Sequence, residues 1–156
     1  MATIKSLDSN ELEKYIQAKI ESFLVQAGEK VKEVIKDYIE ERFYGMYEPE
    51  FYDRTYQLLE SVTCTDVKKI GSTYQLEVYL DTENVDYGSW NINGYSEYID
   101  PEIIFKSASE GWHGNIQTDG RFMEEAKEDL QEGISYNLFD DFKKYLQFKG
   151  FNVIVK

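Results

Sequence analysis

A single apolar stripe running from Leu12 to Phe43 constrains this chain more than any other feature. Leu12, Tyr15, Ile16, Ile20, Phe23, Leu24, Ala27, Val31, Val34, Ile35, Tyr38, Ile39 and Phe43 recur at the spacing of one helix face. Asp8 and Glu11 stand three residues apart, as in a capping box, and Gly45 and Pro49 are stop signals. The pattern therefore predicts one long helix over about 8–44. At 1.5 Å per residue it spans ~50 Å, more than a domain of this size is wide. Either Gly28 marks a bend, or part of the helix projects to pack against something else; the bend is the expected outcome.

The remaining punctuation yields one α+β domain over 1–156, a long N-terminal helix and a C-terminal helix packed on a small, mainly antiparallel sheet. A short helix is expected at about 52–60. Two strands at about 62–80 flank Gly71-Ser72, a two-residue link in which glycine supplies the positive φ of a hairpin turn. Tyr74, Leu76, Val78 and Leu80 alternate with Gln75, Glu77 and Tyr79, the mark of a half-buried strand. Residues 82–118 lack strong periodicity and read as a long aromatic loop, with Ile103-Ile104-Phe105 as a brief strand. Phe122, Met123, Ala126, Leu130, Ile134, Leu138, Phe142, Tyr145 and Leu146 predict a second helix over about 120–149. Gly150 is its C-cap, and a closing strand follows at 151–155.

The chemistry-bearing residues are sparse. Cys64 is the only cysteine and His113 the only histidine among 156 residues. A zinc site or a thiol–imidazole pair has almost nothing to be built from, and no phosphate-binding glycine loop is present. Asp81, Glu83 and Asp86 lack calcium-loop spacing. Neither a cofactor nor a metal is implied, and the expected mode of action is contact with other macromolecules rather than catalysis. With no long apolar run, no membrane-spanning helix is expected, and the first residues lack the pattern of a secretory signal. An intracellular protein, or one packaged from inside a cell, is the expectation.

Charge narrows the partners. Seventeen Lys and Arg against 30 Asp and Glu leave a net charge of −13, a surface that repels phosphates and anionic lipid. Trp90, Tyr95, Tyr98 and Trp112 in the central region therefore have two comparable readings, as inward-facing core or as a protein-binding interface. Stacking on single-stranded nucleic acid needs a basic groove that this sequence does not supply.

The stretch Tyr47-Glu48-Pro49-Glu50-Phe51-Tyr52-Asp53-Arg54-Thr55-Tyr56-Gln57-Leu58-Leu59-Glu60-Ser61-Val62, set between a long amphipathic helix and a hairpin, resembles the minor tail-component family of tailed bacteriophages. Gly120-Arg121-Phe122-Met123-Glu124-Glu125-Ala126 looks similar too, whereas the two-tryptophan central region matches no feature of that family. The resemblance implies a non-enzymatic neck or tail-completion protein of the virion, assembled in the host cytoplasm. Its partners would be the head connector, the tail terminator or tail tube, and further copies of itself in a ring. Tyr52, Arg54, Thr55 and Leu58 carry over as structural residues. Asp53 or Thr55 would cap the short helix, and Tyr52 and Leu58 would pack it on the first helix. Arg54 would hold a carboxylate within its own subunit or in a neighbour. Acidic charge on a ring lumen would let DNA pass without adhering. A different class fits the same charge: an acidic DNA mimic inhibiting a host nucleic-acid enzyme, as anti-restriction and anti-CRISPR proteins do. An unrecognised hydrolase using paired acids is a more distant third.

Overall fold

The computed structural model describes residues 9–46, 56–81, 83, 89–92, 95–98, 106, 110, 112–113, 116–117 and 121–154. Helix α1 (Ser9–Arg42) forms without interruption over 34 residues and is followed by a 3-10 turn, Tyr44–Met46. Helix α2 is one turn, Gln57–Glu60. Four short strands come next, β1 (Val62–Cys64), β2 (Lys68–Ile70), β3 (Thr73–Gln75) and β4 (Val78–Leu80). Strands β5 (Ser89–Ile92), β6 (Tyr95–Tyr98), β7 (Trp112–His113) and β8 (Ile116–Gln117) lead to α3 (Phe122–Glu132) and α4 (Leu138–Phe148). The architecture is α+β, as expected.

The core gathers where the C-terminal half of α1 meets three other elements. Ile35, Ile39 and Phe43 of α1 pack with Leu58 of α2, Val62 of β1, and Phe122 and Ala126 of α3, while Val78 and Leu80 of β4 close one side. Ile39, Leu58 and Phe122 are the largest fully buried side chains. Each contributes roughly 1.5–3 kcal/mol by leaving water. The ring of Phe43 meets that of Phe122 edge-on at 6.5 Å.

The expected hairpin is present, with Gly71 at φ 63° in its two-residue turn between Ile70 and Thr73. Tyr74, Leu76, Val78 and Leu80 are half-buried, and Gln75, Glu77 and Tyr79 are exposed. The ladder is nonetheless split. Cys64 is opposite Val78 and Lys68 is opposite Gln75, so Thr65, Asp66 and Val67 face only Leu76 and Glu77. The Thr65 amide donates to the Glu77 carbonyl at 2.9 Å, and the Glu77 amide donates to Thr65 Oγ1 at 3.1 Å. One extra residue on one strand is a bulge, which sharpens the local twist and re-aims the hairpin tip.

Gly28 lies inside the continuous helix α1. It is buried, and a Cβ there would lie 2.9 Å from Leu76 Cδ2, so the missing side chain admits the hairpin onto the helix. The predicted helix over 120–149 is two helices. Gly133, at φ 69°, ends α3, the Ile134 amide donates to the Asp129 carbonyl at 3.1 Å, and Asn137 Oδ1 accepts from the Asp140 amide to cap α4. The closing strand at 151–155 is absent from the described part: Phe151–Ile154 pairs with no described strand. Gly150, at φ 89°, does end α4, with the Phe151 amide on the Leu146 carbonyl and the Gly150 amide on the Gln147 carbonyl, a Schellman closure. The central region, expected as an aromatic loop, contains two antiparallel strand pairs, β5–β6 and β7–β8. Ile103-Ile104-Phe105 lies outside the described residues.

Truncating Leu58 to Ala is expected to destabilise the protein by about 2–5 kcal/mol, because α2 is seated against α1 and β1 and Leu58 is fully buried in the core. Gly133→Ala meets a second obstacle besides its positive φ, since the new Cβ would lie 2.7 Å from Asn137 Nδ2. A loss of about 1 kcal/mol or more is expected. Urea unfolding of both variants checks these values.

Candidate interaction surface

Along its N-terminal half, α1 has hydrophobic surface left over. Every residue from Ser9 to Ile16 is exposed, including Leu12, Tyr15 and Ile16 of the apolar stripe. Further along, Ile20, Phe23 and Leu24 form the floor of an open trough of 590 Å³. Tyr74 near the hairpin tip bounds it, as do Leu130 at the end of α3 and Leu138, Phe139 and Phe142 of α4. A second, more enclosed space of 260 Å³ shares Leu24, Leu130 and Leu138 with it and reaches toward Gly28 and Leu76.

Helix α4 forms the far wall. It runs antiparallel to α1: Lys30 reaches Asp141, Phe23 meets Phe142 and Tyr145, and Tyr15 meets Phe151. The ring centroids of Phe23 and Phe142 are 4.7 Å apart. Yet no residue of α4 is buried, and Phe139 and Phe148 stand largely in solvent. An eleven-residue helix has little stability of its own, so it relies on this partial seat and on polar ties.

Two polar clusters supply those ties. The first sits at the α3–α4 break, where Asp129 is buried at 5% exposure. Its carboxylate accepts from Tyr38 Oη at 2.9 Å, from the Ser135 amide at 2.9 Å and from Ser135 Oγ at 2.6 Å. Burial pushes the Asp129 carboxyl up, but the hydroxyl and amide of Ser135 and the Tyr38 hydroxyl together hold it below the ordinary carboxylate range. The Tyr38 phenol is pushed up, chiefly by that hydrogen bond to Asp129 and then by burial, so it stays a proton donor. In the second cluster Lys30 Nζ lies 2.8 Å from Asp141 Oδ2, and Tyr136 Oη donates to the same oxygen at 3.0 Å. Lys30 draws the Asp141 carboxyl below its usual value against the effect of burial, and Tyr136 assists. Both clusters are fully occupied in holding helices together. A third tie, the 2.9 Å ion pair of Arg42 Nε with Glu125 Oε2, fixes α3 to the end of α1.

The residues singled out from sequence are distributed unevenly. Leu58 packs α2 against α1 in the core, as expected. Tyr52, Arg54 and Thr55 lie outside the described residues. The N-cap position of α2 is occupied by Tyr56, at φ 55°, with no side-chain cap, and Asp53 likewise lies outside the described residues. Trp90 is paired with Glu97, Tyr95 with Ile92, Tyr98 with Ser89, and Trp112 with Gln117. By register Trp90 and Tyr95 belong to one alternating set of the β5–β6 ladder and Tyr98 to the other. Cys64 Sγ stands 3.9 Å from Glu29 Oε1 on the strand assigned to it. Among the described residues no three His, Cys, Asp or Glu side chains converge on a metal-sized site, and no helix is long and apolar enough to cross a membrane. The trough escapes a sequence reading because its walls belong to α4, which an unbroken second helix merges with α3.

The lowered Asp129 carboxyl makes stability depend on pH in a definite direction. Its folded pKa lies below the unfolded value of about 3.9, so its contribution is complete above that value and disappears as pH falls through the folded pKa. Asp129→Asn is expected to cost about 1–3 kcal/mol at neutral pH, with the gap to wild type narrowing below about pH 4. Urea midpoints of both proteins across that range provide the measurement.

No curated protein and no solved structure matches the chain. A family model described as YomN matches residues 8–148, from the start of α1 to the end of α4. The chain thus belongs to the YomN family, a phage-derived protein family.

Proposed function

We propose that this protein is a structural subunit of a tailed-phage virion, a neck or tail-completion protein that joins the head connector to the tail. The observation that carries this reading is the uncovered apolar trough beside α4 on a chain of net charge −13. A strongly acidic protein gains solubility from its charge, and an apolar face retained against that background is the mark of an interface. Membership of a phage-derived family agrees with a virion setting. The buried Asp129 and the half-buried Asp141 are engaged in hydrogen bonds that tie helices together, which favours contact over catalysis as the mode of action.

In this reading several copies surround one axis, with DNA passing along an acidic channel. Carboxylates lining the channel repel the phosphate backbone over a distance of about one Debye length, ~8–10 Å. Contact with the head connector and with the tail terminator or tube closes the two ends of the ring.

Mass photometry of the purified chain, alone and mixed with head-connector and tail-tube proteins, tests the proposal. Stable co-assembly with either partner is expected. A chain that ignores virion proteins but binds a basic nuclease one-to-one, with affinity falling steeply as salt rises, would instead identify it as a DNA mimic.

A further inference from the structure

We propose that the exposed N-terminal end of α1 in one copy docks into the trough of a second copy, head to tail. The inference rests on the subunit-ring reading above and names the contact that builds it. Leu12, Tyr15 and Ile16 form a stripe with between 41% and 44% of each residue exposed, on a stretch of helix where every residue from Ser9 to Ile16 is open. The trough presents the complementary shape, an apolar floor on α1 with an outer wall in which Leu138 is 49% and Phe139 60% exposed. Stripe and trough occupy successive segments of the same helix. One copy therefore carries both halves of the contact and covers each only in part, Tyr15 against Phe151 and Phe23 against Phe142.

Charge selects the second copy as the occupant. Across the trough and the enclosed space behind it, Lys127 is the one charged lining residue. It is exposed and forms no ion pair among the described residues. The docking stripe is flanked by Glu11, Glu13 and Lys14, two acids to one base, and Glu13 is 3.9 Å from Lys69 with its side chain 72% exposed. Lys127 lines the enclosed space, which shares Leu24, Leu130 and Leu138 with the trough, so a segment seated in the trough brings its acids toward a cation next to the trough floor. The opposed arrangement, α1 against α1 about a twofold axis, would bring the Glu13 and Glu21 flanks of both copies together.

Area agrees. The five exposed stripe and wall side chains amount to on the order of 500 Å² of mostly apolar surface. A specific interface needs about 1,000 Å² in total, of which roughly 56–58% is non-polar. Because the stripe and the trough are different patches, the contact is heterologous, and its repetition generates a ring or a filament.

The test exploits that asymmetry in the full-length chain. Sedimentation equilibrium up to about 1 mM is expected to show self-association of wild type. Ile16→Asp breaks the stripe and Phe139→Asp breaks the trough, and each is expected to weaken self-association at least about tenfold. Both positions are exposed enough for the fold to survive, which circular dichroism verifies. Mixed one-to-one, the two variants retain one intact stripe and one intact trough between them, and heterodimers are expected that grow no further. Lys127→Glu should weaken assembly, and adding Glu13→Lys should restore it. A monomeric wild type overturns the inference, as do variants that assemble like wild type or a mixture that forms no heterodimer. Co-assembly with connector or tail proteins is measured separately, so a failed self-contact remains distinguishable from a failed neck role.

Discussion

Burial of the C-terminal half of α1 is the constraint from which the rest of the structure follows. Ile35, Ile39 and Phe43 cannot be covered by the helix that carries them, and the other core elements cover them with Leu58 from α2, Val62 from β1, Val78 and Leu80 from β4, and Phe122 from α3. These elements are short, one turn for α2 and three residues for each hairpin strand. Alone, none would hold its shape in water. They are ordered because α1 offers a long, stiff apolar edge against which small pieces can be assembled. The absent side chain of Gly28 extends that edge by letting Leu76 approach the helix backbone.

Much of this is legible in the sequence, and the failures have specific causes. The stripe of α1 and the Gly71-Ser72 hairpin are periodic signals strong enough to survive any tertiary context. The α3–α4 break is hidden because Leu130, Ile134 and Leu138 keep a four-residue spacing straight through it. The local signals are nevertheless present, Gly133 as a left-handed terminator and Asn137 as a cap with Asp140 three residues on. Capping chemistry outweighs periodicity there. In the central region Asn93-Gly94, between β5 and β6, is a hairpin dipeptide whose meaning is obscured by the high polarity around it. The bulge opposite Leu76 and Glu77 leaves no compositional trace, because alternation along β3–β4 is intact and only the partner strand carries the extra residue. The trough depends on where two separate helices come to rest, and no local pattern encodes that.

The polar interior follows the same economy of parts. A chain with 30 acidic side chains buries few of them, and Asp129 is one that it does bury. Asp129 serves two helices at once. Its main-chain carbonyl receives the amide that terminates α3, while its side chain fastens Ser135 of the following turn and Tyr38 of α1. The turn is thereby fixed in direction, and with it the line along which α4 departs. Three donors and one carboxylate thus hold the turn from which α4 departs.

The uneven packing of α4 has a consequence for how the molecule behaves over time. A helix with no buried residue, held by Asp141–Lys30, two ring contacts and a glycine closure, opens at a fraction of the free energy that separates the whole fold from its unfolded ensemble. The protein is therefore layered in stability. Around Ile39 and Phe122 the inner layer is expected to exchange its amide protons only when the chain unfolds as a whole, whereas the outer layer is expected to detach and re-seat within that interval. Whatever covers α4 quiets only the outer layer, so occupancy of this face is written into the protein as a change of local tempo, with the core left as it was.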